Sequence, residues 1–171
     1  DRSYFELVTS KRPKDFSQQE MVELVERSCQ IKARIVAVDE REAGPRRLLN
    51  FGHTVGHAIE FLSYNMARPL LHGEAVSIGM VAEAHMSCGL GLLSTNELAI
   101  IRESLMNAEL PVTVRGLEVD QIIERMKPDK KNVGGRMNFT LLQGIGQAVY
   151  DQIVPHSLVV EAIEGIVEQG K

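Results

Sequence analysis

Apolar residues recur along most of this chain at the three-to-four-residue step of a helix, and only near its end does the step shorten to two. Met21, Leu24, Val25, Ser28, Ile31, Ile35 and Val38 share one helical stripe. They follow Ser17-Gln18-Gln19-Glu20, a capping box in which serine and glutamate satisfy each other's backbone donors. This predicts a helix running to about Arg41, stopped by Gly44-Pro45. Residues 1–11 form a short amphipathic piece with Tyr4, Phe5, Leu7 and Val8, ended by Pro13. Leu48, Leu49, Val55, Ile59 and Leu62 predict a helix over 48–63, and a loop follows over 64–69. The stretch 73–90 is apolar on nearly every side through Ala75, Val76, Ile78, Met80, Val81, Ala84 and Met86, as befits a central helix. Ser94-Thr95-Asn96-Glu97 caps another helix carrying Leu98, Ile100, Ile101, Leu105 and Met106, and 119–126 is a short further one.

The stretches 137–142 and 148–153 flank Gly144-Ile145-Gly146 and read as one β-hairpin, expected to be the only sheet. Pro155-His156-Ser157 then leads to a terminal helix with Leu158, Val159, Ala162, Ile163, Ile166 and Val167. The expected fold class is an all-α multihelical domain with one small β-hairpin near the C-terminus, a single domain over residues 1–171.

Bulk properties narrow the function classes. A chain of 171 residues with 44% hydrophobic and 25% charged positions can bury a core as an ordinary soluble domain. A net charge of −4 and the absence of Trp argue against nucleic acid as a partner. No apolar run is long enough to cross a bilayer and no signal peptide is evident, so no membrane partner is expected and the cytoplasm is the expected location. Cys29 and Cys88 lack metal-site spacing and read as small buried hydrophobes. No Gly-x-Gly-x-x-Gly follows a strand, so a dinucleotide would be held mainly by something else. The chain begins at Asp1 without an initiator methionine, which suggests a fragment.

The chemistry concentrates between Asn50 and Glu74, where three of the five histidines lie. His53 and His57, four apart, fall on one helical face, and His72 can reach them from the start of the next helix. A catalytic zinc takes about three protein ligands and leaves a position for water or substrate. Gly52 and Gly56 repeat the same spacing, and each costs about 1 kcal/mol in a helix interior, so close approach of a neighbour is expected there. The bland alternative is hydrogen-bonded core histidines; it explains one such residue better than three within twenty positions. Lys32, Asp39 and Glu42 fall on one side of the long helix's last turns, and charges there are by default a solvated face. Arg46 and Arg47 follow, and a guanidinium suits phosphate or carboxylate. Lys130 and Lys131 in Pro128-Asp129-Lys130-Lys131-Asn132 invite an anion. Met80 and Met86 read as core filling, His85 as structural, His156 as a helix-start residue, and Glu60 and Glu74 as local carboxylates outside the ligand set.

Taken together, Asp39-Glu40-Arg41-Glu42, Gly44, Arg46, Leu48-Leu49-Asn50, Gly52-His53-Thr54, Gly56-His57-Ala58-Ile59-Glu60, Leu71-His72-Gly73-Glu74 and Asp129-Lys130-Lys131 resemble the carboxy-terminal half of 3-dehydroquinate synthases, in order and across essentially the whole chain. The resemblance implies a shikimate-pathway lyase that converts 3-deoxy-D-arabino-heptulosonate 7-phosphate to 3-dehydroquinate and phosphate, using NAD and a divalent metal, Zn or Co. It implies His53 and His72 as metal ligands, His57 as a substrate-contacting histidine that assists proton transfer, and Glu42 as a proton acceptor. It implies Lys32, Arg46, Asn50 and one of Lys130 and Lys131 as substrate-binding. It also implies an amino-terminal NAD-binding α/β domain and a third metal ligand, a glutamate, both absent from these residues, and a homodimer in the complete enzyme. The isolated chain is therefore expected to bind metal weakly and to be inactive. Alternatives are another sugar phosphate cyclase, a metal-dependent alcohol or glycerol dehydrogenase domain, or a non-catalytic metal-binding helical module.

Overall fold

The capping box at Ser17 forms as its sequence predicts: the Ser17 hydroxyl accepts the Glu20 N–H, and the Glu20 carboxylate accepts the Ser17 N–H at 2.8 Å. In the computed structural model, which describes residues 1–127 and 137–168, a short helix α1 (Arg2–Val8) precedes this box and α2 (Gln18–Val38) follows it. Helix α2 ends before the predicted Arg41. Asp39 takes its C-cap, and its side chain accepts the N–H groups of Ala43, Gly44 and Arg46, folding the chain back on itself. The predicted stripe on α2 is largely uncovered: Leu24 is buried, but Val25 is 58% and Val38 76% exposed. Cys29 shares that outer position and is exposed rather than buried, because α2 packs on the rest of the protein along a narrow line; Cys88 is half-buried, and both are free thiols.

The predicted helix over 48–63 is two pieces. A 3₁₀ turn (Pro45–Asn50) is followed by a break at Phe51-Gly52, and α3 (His53–Ser63) begins only there. Gly52 is the N-cap of α3 at φ 81°, a left-handed conformation that glycine adopts without a Cβ penalty. It therefore stands outside the helix interior, where its cost was expected.

Helix α4 (His72–Gly89) is the centre of the fold, with ten buried residues facing every direction, as its uniform apolarity predicts. It crosses α3 at a run of glycines. A Cβ on Gly56 would lie 2.9 Å from the Val76 Cα, and one on Gly52 would lie 2.9 Å from the Val76 carbonyl oxygen. This close approach is the reason for glycine at both positions. Helices α5 (Thr95–Asn107), α6 (Val119–Met126) and α7 (His156–Glu164) complete the helical set. Ile59, Ile78, Met86, Ile122, Phe139 and Ile163, all essentially inaccessible, form the shared core. Each such side chain contributes roughly 1.5–3 kcal/mol of burial.

Numbering strands in chain order, β2 (Asn138–Gly144) and β3 (Gln147–Ile153) form the predicted antiparallel hairpin, with Leu141 opposite Val149. It is not the only sheet. A short parallel pair joins β1 (Val114–Arg115) to β4 (Val167–Glu168), so the terminal helix stops at Glu164 and Val167 is a strand residue. The Val114 N–H donates to the Ile166 carbonyl, and Thr113 and Arg115 both bond the Glu168 carboxylate. His85 lies 3.7 Å from Glu161 across α4 and α7, a structural contact, and His156 is the exposed first residue of α7. Among the described residues no helix is long and apolar enough to cross a membrane.

Candidate functional site

The α3–α4 crossing brings three imidazoles together. His53 opens α3, His57 stands one turn on, and His72 opens α4 opposite them. Their ring centroids lie 5.3 Å (His53 to His57), 5.5 Å (His53 to His72) and 5.6 Å (His57 to His72) apart. One nitrogen from each ring lies within 4.8 Å of the others, and this is the only such group of potential metal ligands among the described residues. His53 is half-buried while His57 and His72 are exposed, so the cluster opens to solvent on one side.

Two of the three rings have their tautomer assigned by their partners. The Nδ1 of His53 lies 3.2 Å from the Phe51 carbonyl oxygen, which can only accept, so Nδ1 carries the proton and Nε2 the lone pair. The Nδ1 of His72 lies 3.0 Å from a carboxylate oxygen of Glu60, with the same consequence. Burial lowers the His53 pKa, the Phe51 carbonyl opposes this, and the neighbouring His57 and His72 lower it further. The neutral imidazole so favoured is the form that binds a cation. Nitrogens on a four-coordinate zinc sit about 3.3 Å apart, given Zn–N distances near 2.0–2.1 Å. The donor set fits a borderline-soft divalent cation, with modest inward rotation of the rings.

The start of α3 is held by a carboxylate from α4. Glu83, completely buried, accepts the N–H groups of Gly52 at 2.7 Å, Thr54 at 3.1 Å and Val55 at 3.3 Å, which flank His53. These are the orphan donors of a helix N-terminus, here satisfied by a neighbouring helix. Burial pushes the Glu83 carboxyl up to about 8 against the pull of the three N–H groups.

A second polar cluster precedes the histidines in the chain. Partial desolvation raises the Asp39 carboxyl, but the N–H groups of Arg46, Gly44 and Ala43, with the Arg46 charge, outweigh it and hold the pKa below its usual value. The loop so fixed brings Glu42, Arg46 and Asn50 together. The Asn50 amide donates to Glu42 at 2.7 Å, the Arg46 guanidinium lies 3.9 Å from the same carboxylate, and another of its nitrogens donates to the Glu40 carbonyl. Glu42 adopts φ 56°, uncommon for a residue with a side chain and shared with Glu109 and Asp151. Arg47 pairs with Asp151 on the hairpin and donates from Nε to the Glu42 carbonyl oxygen at 3.1 Å, so of the two arginines only Arg46 faces the Glu42 carboxylate.

Lys32 is exposed on α2 and forms no ion pair among the described residues. Lys130 and Lys131 lie outside the described residues. Glu74 is occupied as a cap, accepting the Leu71 N–H at 2.8 Å and pairing with Arg68. Glu60, read as outside the ligand set, touches His72 at Nδ1. Glu83 went unread in the sequence, although a lone carboxylate on an otherwise apolar central helix is itself a signal, since burying a charge demands partners.

The profile of 3-dehydroquinate synthase C-terminal domains matches residues 1–132. The 3-dehydroquinate synthase of Syntrophotalea carbinolica is 43% identical over 146 residues, 84% of this chain and 40% of that protein. That of Acinetobacter baylyi is 45% identical over 130 residues, 75% of this chain and 35% of that protein. The chain thus spans well under half the length of the curated relatives it matches. Among solved structures, 2-epi-5-epi-valiolone synthase from Streptomyces hygroscopicus, with NAD+ and Zn2+ bound, superposes with a TM-score of 0.80 at 25% identity, covering 96% of this chain and 46% of that one. A 2-deoxy-scyllo-inosose synthase shares the fold at a TM-score of 0.73 and 18% identity over 95% of this chain and 50% of that one. With its first 132 residues matched by the domain profile and the relatives agreeing in name, the chain belongs to the 3-dehydroquinate synthase C-terminal family.

Proposed function

We propose that this chain is the metal- and substrate-binding domain of a 3-dehydroquinate synthase, which forms 3-dehydroquinate and phosphate from 3-deoxy-D-arabino-heptulosonate 7-phosphate. The observation that carries this reading is the meeting of His53, His57 and His72 at an open crossing of two helices, which the chain enters directly from the loop that gathers Glu42, Arg46 and Asn50. In it, His53 and His72 hold a divalent cation, Zn or Co, through Nε2. When bound, such a cation lowers the pKa of hydroxyl oxygens that contact it. His57, exposed beside the other two rings, is left to accept or return a proton on the substrate.

The Arg46 guanidinium supplies fixed positive charge for a phosphate or carboxylate. Asn50 orients the Glu42 carboxylate, the proposed proton acceptor, through their hydrogen bond. Lys32 and one of Lys130 and Lys131 add cationic charge for the same substrate. A further metal ligand and the NAD site belong, in this reading, to the part of the relatives that this chain does not span. The valiolone synthase, bound to NAD+ and Zn2+, and the inosose synthase, solved with carbaglucose-6-phosphate, NAD+ and Co2+, support the same cofactor pair here.

The likeness to valiolone synthase favours a second reading, a cyclase acting on a different heptulose or hexose phosphate. One experiment separates them. The corresponding domain of the Syntrophotalea carbinolica enzyme is replaced by this chain, and the chimera is given NAD+, Co2+ and each candidate sugar phosphate in turn. Formation of 3-dehydroquinate from the heptulosonate phosphate supports the proposal. Another carbocycle formed from another sugar phosphate overturns it, and full turnover by the 171 residues alone overturns the division of labour.

A further inference from the structure

Glu60 lies on the face of α3 that carries the histidines. It is three residues beyond His57 and seven beyond His53, so the three side chains form one stripe along the helix. Its carboxylate is mostly shielded, with 22% of the side chain exposed, and one oxygen lies 3.0 Å from Nδ1 of His72. Glu60 is not a member of the group whose donor atoms converge. It meets the ring at Nδ1 and leaves Nε2 without a claim from this carboxylate. Glu74, the other carboxylate near His72, is committed to the Leu71 N–H and Arg68 and does not compete for this ring.

His72 needs such a partner. It is the first residue of α4, its side chain is 55% exposed, and the rings beside it are the other two imidazoles. An unheld imidazole in water populates both tautomers and several rotamers, and in one tautomer the lone pair sits on the wrong nitrogen for the site. A carboxylate that accepts Nδ1–H removes both freedoms at once.

We infer that Glu60 is a positioning residue: by accepting Nδ1–H of His72 it fixes the ring and places the lone pair on Nε2, preparing His72 to bind a cation with His53. This rests on the metal reading of the cluster for its purpose, but the tautomer it predicts exists without any metal. It also explains why the carboxylate comes from α3 and the ring from α4. The hydrogen bond ties the two helices at the site, just beyond their glycine crossing.

The test has two readouts on the 171-residue chain. In the metal-free protein, long-range ¹H–¹⁵N correlation spectra report the tautomer of each histidine. Wild type should show His72 with its proton on Nδ1, Glu60→Gln should keep this state because the amide oxygen still accepts, and Glu60→Ala should lose it. In the second, Co2+ and Zn2+ are titrated in. Glu60→Ala should weaken affinity by roughly 10–100-fold, Glu60→Gln by less, with an altered Co2+ visible spectrum. Circular dichroism of each variant checks that the helices are intact, and Glu60→Gln, which conserves shape, carries the test should Glu60→Ala unfold. A His72 proton on Nε2 in wild type, or unchanged affinity in Glu60→Ala, overturns the inference. His72→Ala is the control for the underlying reading: if it too leaves metal affinity unchanged, the metal site itself fails and the inference with it. If it abolishes binding while Glu60→Ala does not, only the role of Glu60 fails.

Discussion

A Cβ on Gly79 would lie 2.1 Å from the carbonyl oxygen of Gly52 and 2.7 Å from the Gly56 nitrogen. Backbone therefore meets backbone where α3 and α4 cross, and His53 and His57 stand at that crossing, opposite His72. Gly79→Ala must push the helices apart, which we expect to cost on the order of 1–3 kcal/mol or more in urea unfolding and to weaken divalent metal binding. Gly73→Ala is the matched control. Nothing lies within 4 Å of a Cβ there, so its effect should be neutral or a stabilisation of up to about 1 kcal/mol from helix propensity.

Glu83 supports the same crossing from within. Glu83→Ala strands three N–H donors at the start of α3, two of them on buried residues, and should destabilise the protein by roughly 1–3 kcal/mol or more, with loss of metal affinity because His53 is among the residues those donors flank. The group also gives a pH signature. Its folded-state pKa, raised to about 8, exceeds the ordinary carboxylate value of 4.5, so its favourable contribution is complete below the ordinary value and is lost as pH rises towards 8. Urea midpoints of wild type should therefore fall relative to Glu83→Gln between about pH 5 and about pH 8. A difference between the two that stays flat across that window would contradict the assignment.

The histidine cluster was legible because its pieces are local. Four-residue spacing fixes His53 and His57 on one face, and a short loop delivers His72 to the head of the next helix. The glycines at 52 and 56 announced a close approach without saying what approached; the answer, Gly79 and Val76, needed the crossing angle. The contacts that steady the site were harder to read. Glu83 meets the start of α3 from about thirty positions away, and Glu60 meets His72 across a loop whose path no pattern dictates. The β1–β4 pair was invisible because two-residue strands over fifty positions apart carry no periodicity. Exposure on α2 misled for a different reason: an apolar stripe predicts a buried face, and Val25 and Val38 are uncovered among the described residues.

The roles proposed for the histidines separate under substitution. His53→Ala and His72→Ala should each weaken Co2+ binding by on the order of tenfold or more, as expected for lost ligands. His57→Ala should bind the metal nearly as well and, in the chimera, lose turnover instead. Calorimetric titration of the three variants decides this. Equal losses of affinity in all three would make His57 a third ligand and leave the proton-transfer role without a residue.

Asp39 orders the loop proposed to hold the substrate. Its carboxylate gathers the N–H groups of Ala43, Gly44 and Arg46, and that turn is what sets Arg46 and Asn50 around Glu42. Water can replace the lost acceptor in this partly exposed loop, so Asp39→Ala should cost little global stability, about 1 kcal/mol. It should nonetheless raise KM for the sugar phosphate in the chimera, because the guanidinium and the carboxylate lose their fixed spacing. Asp39→Asn, which keeps one acceptor oxygen, should fall between. Metal affinity should be unchanged in both, since no Asp39 contact reaches the histidines. A parallel loss of metal binding would mean that the loop and the α3–α4 crossing form one cooperative unit, and the division between an anion-holding loop and a cation-holding crossing would have to be abandoned.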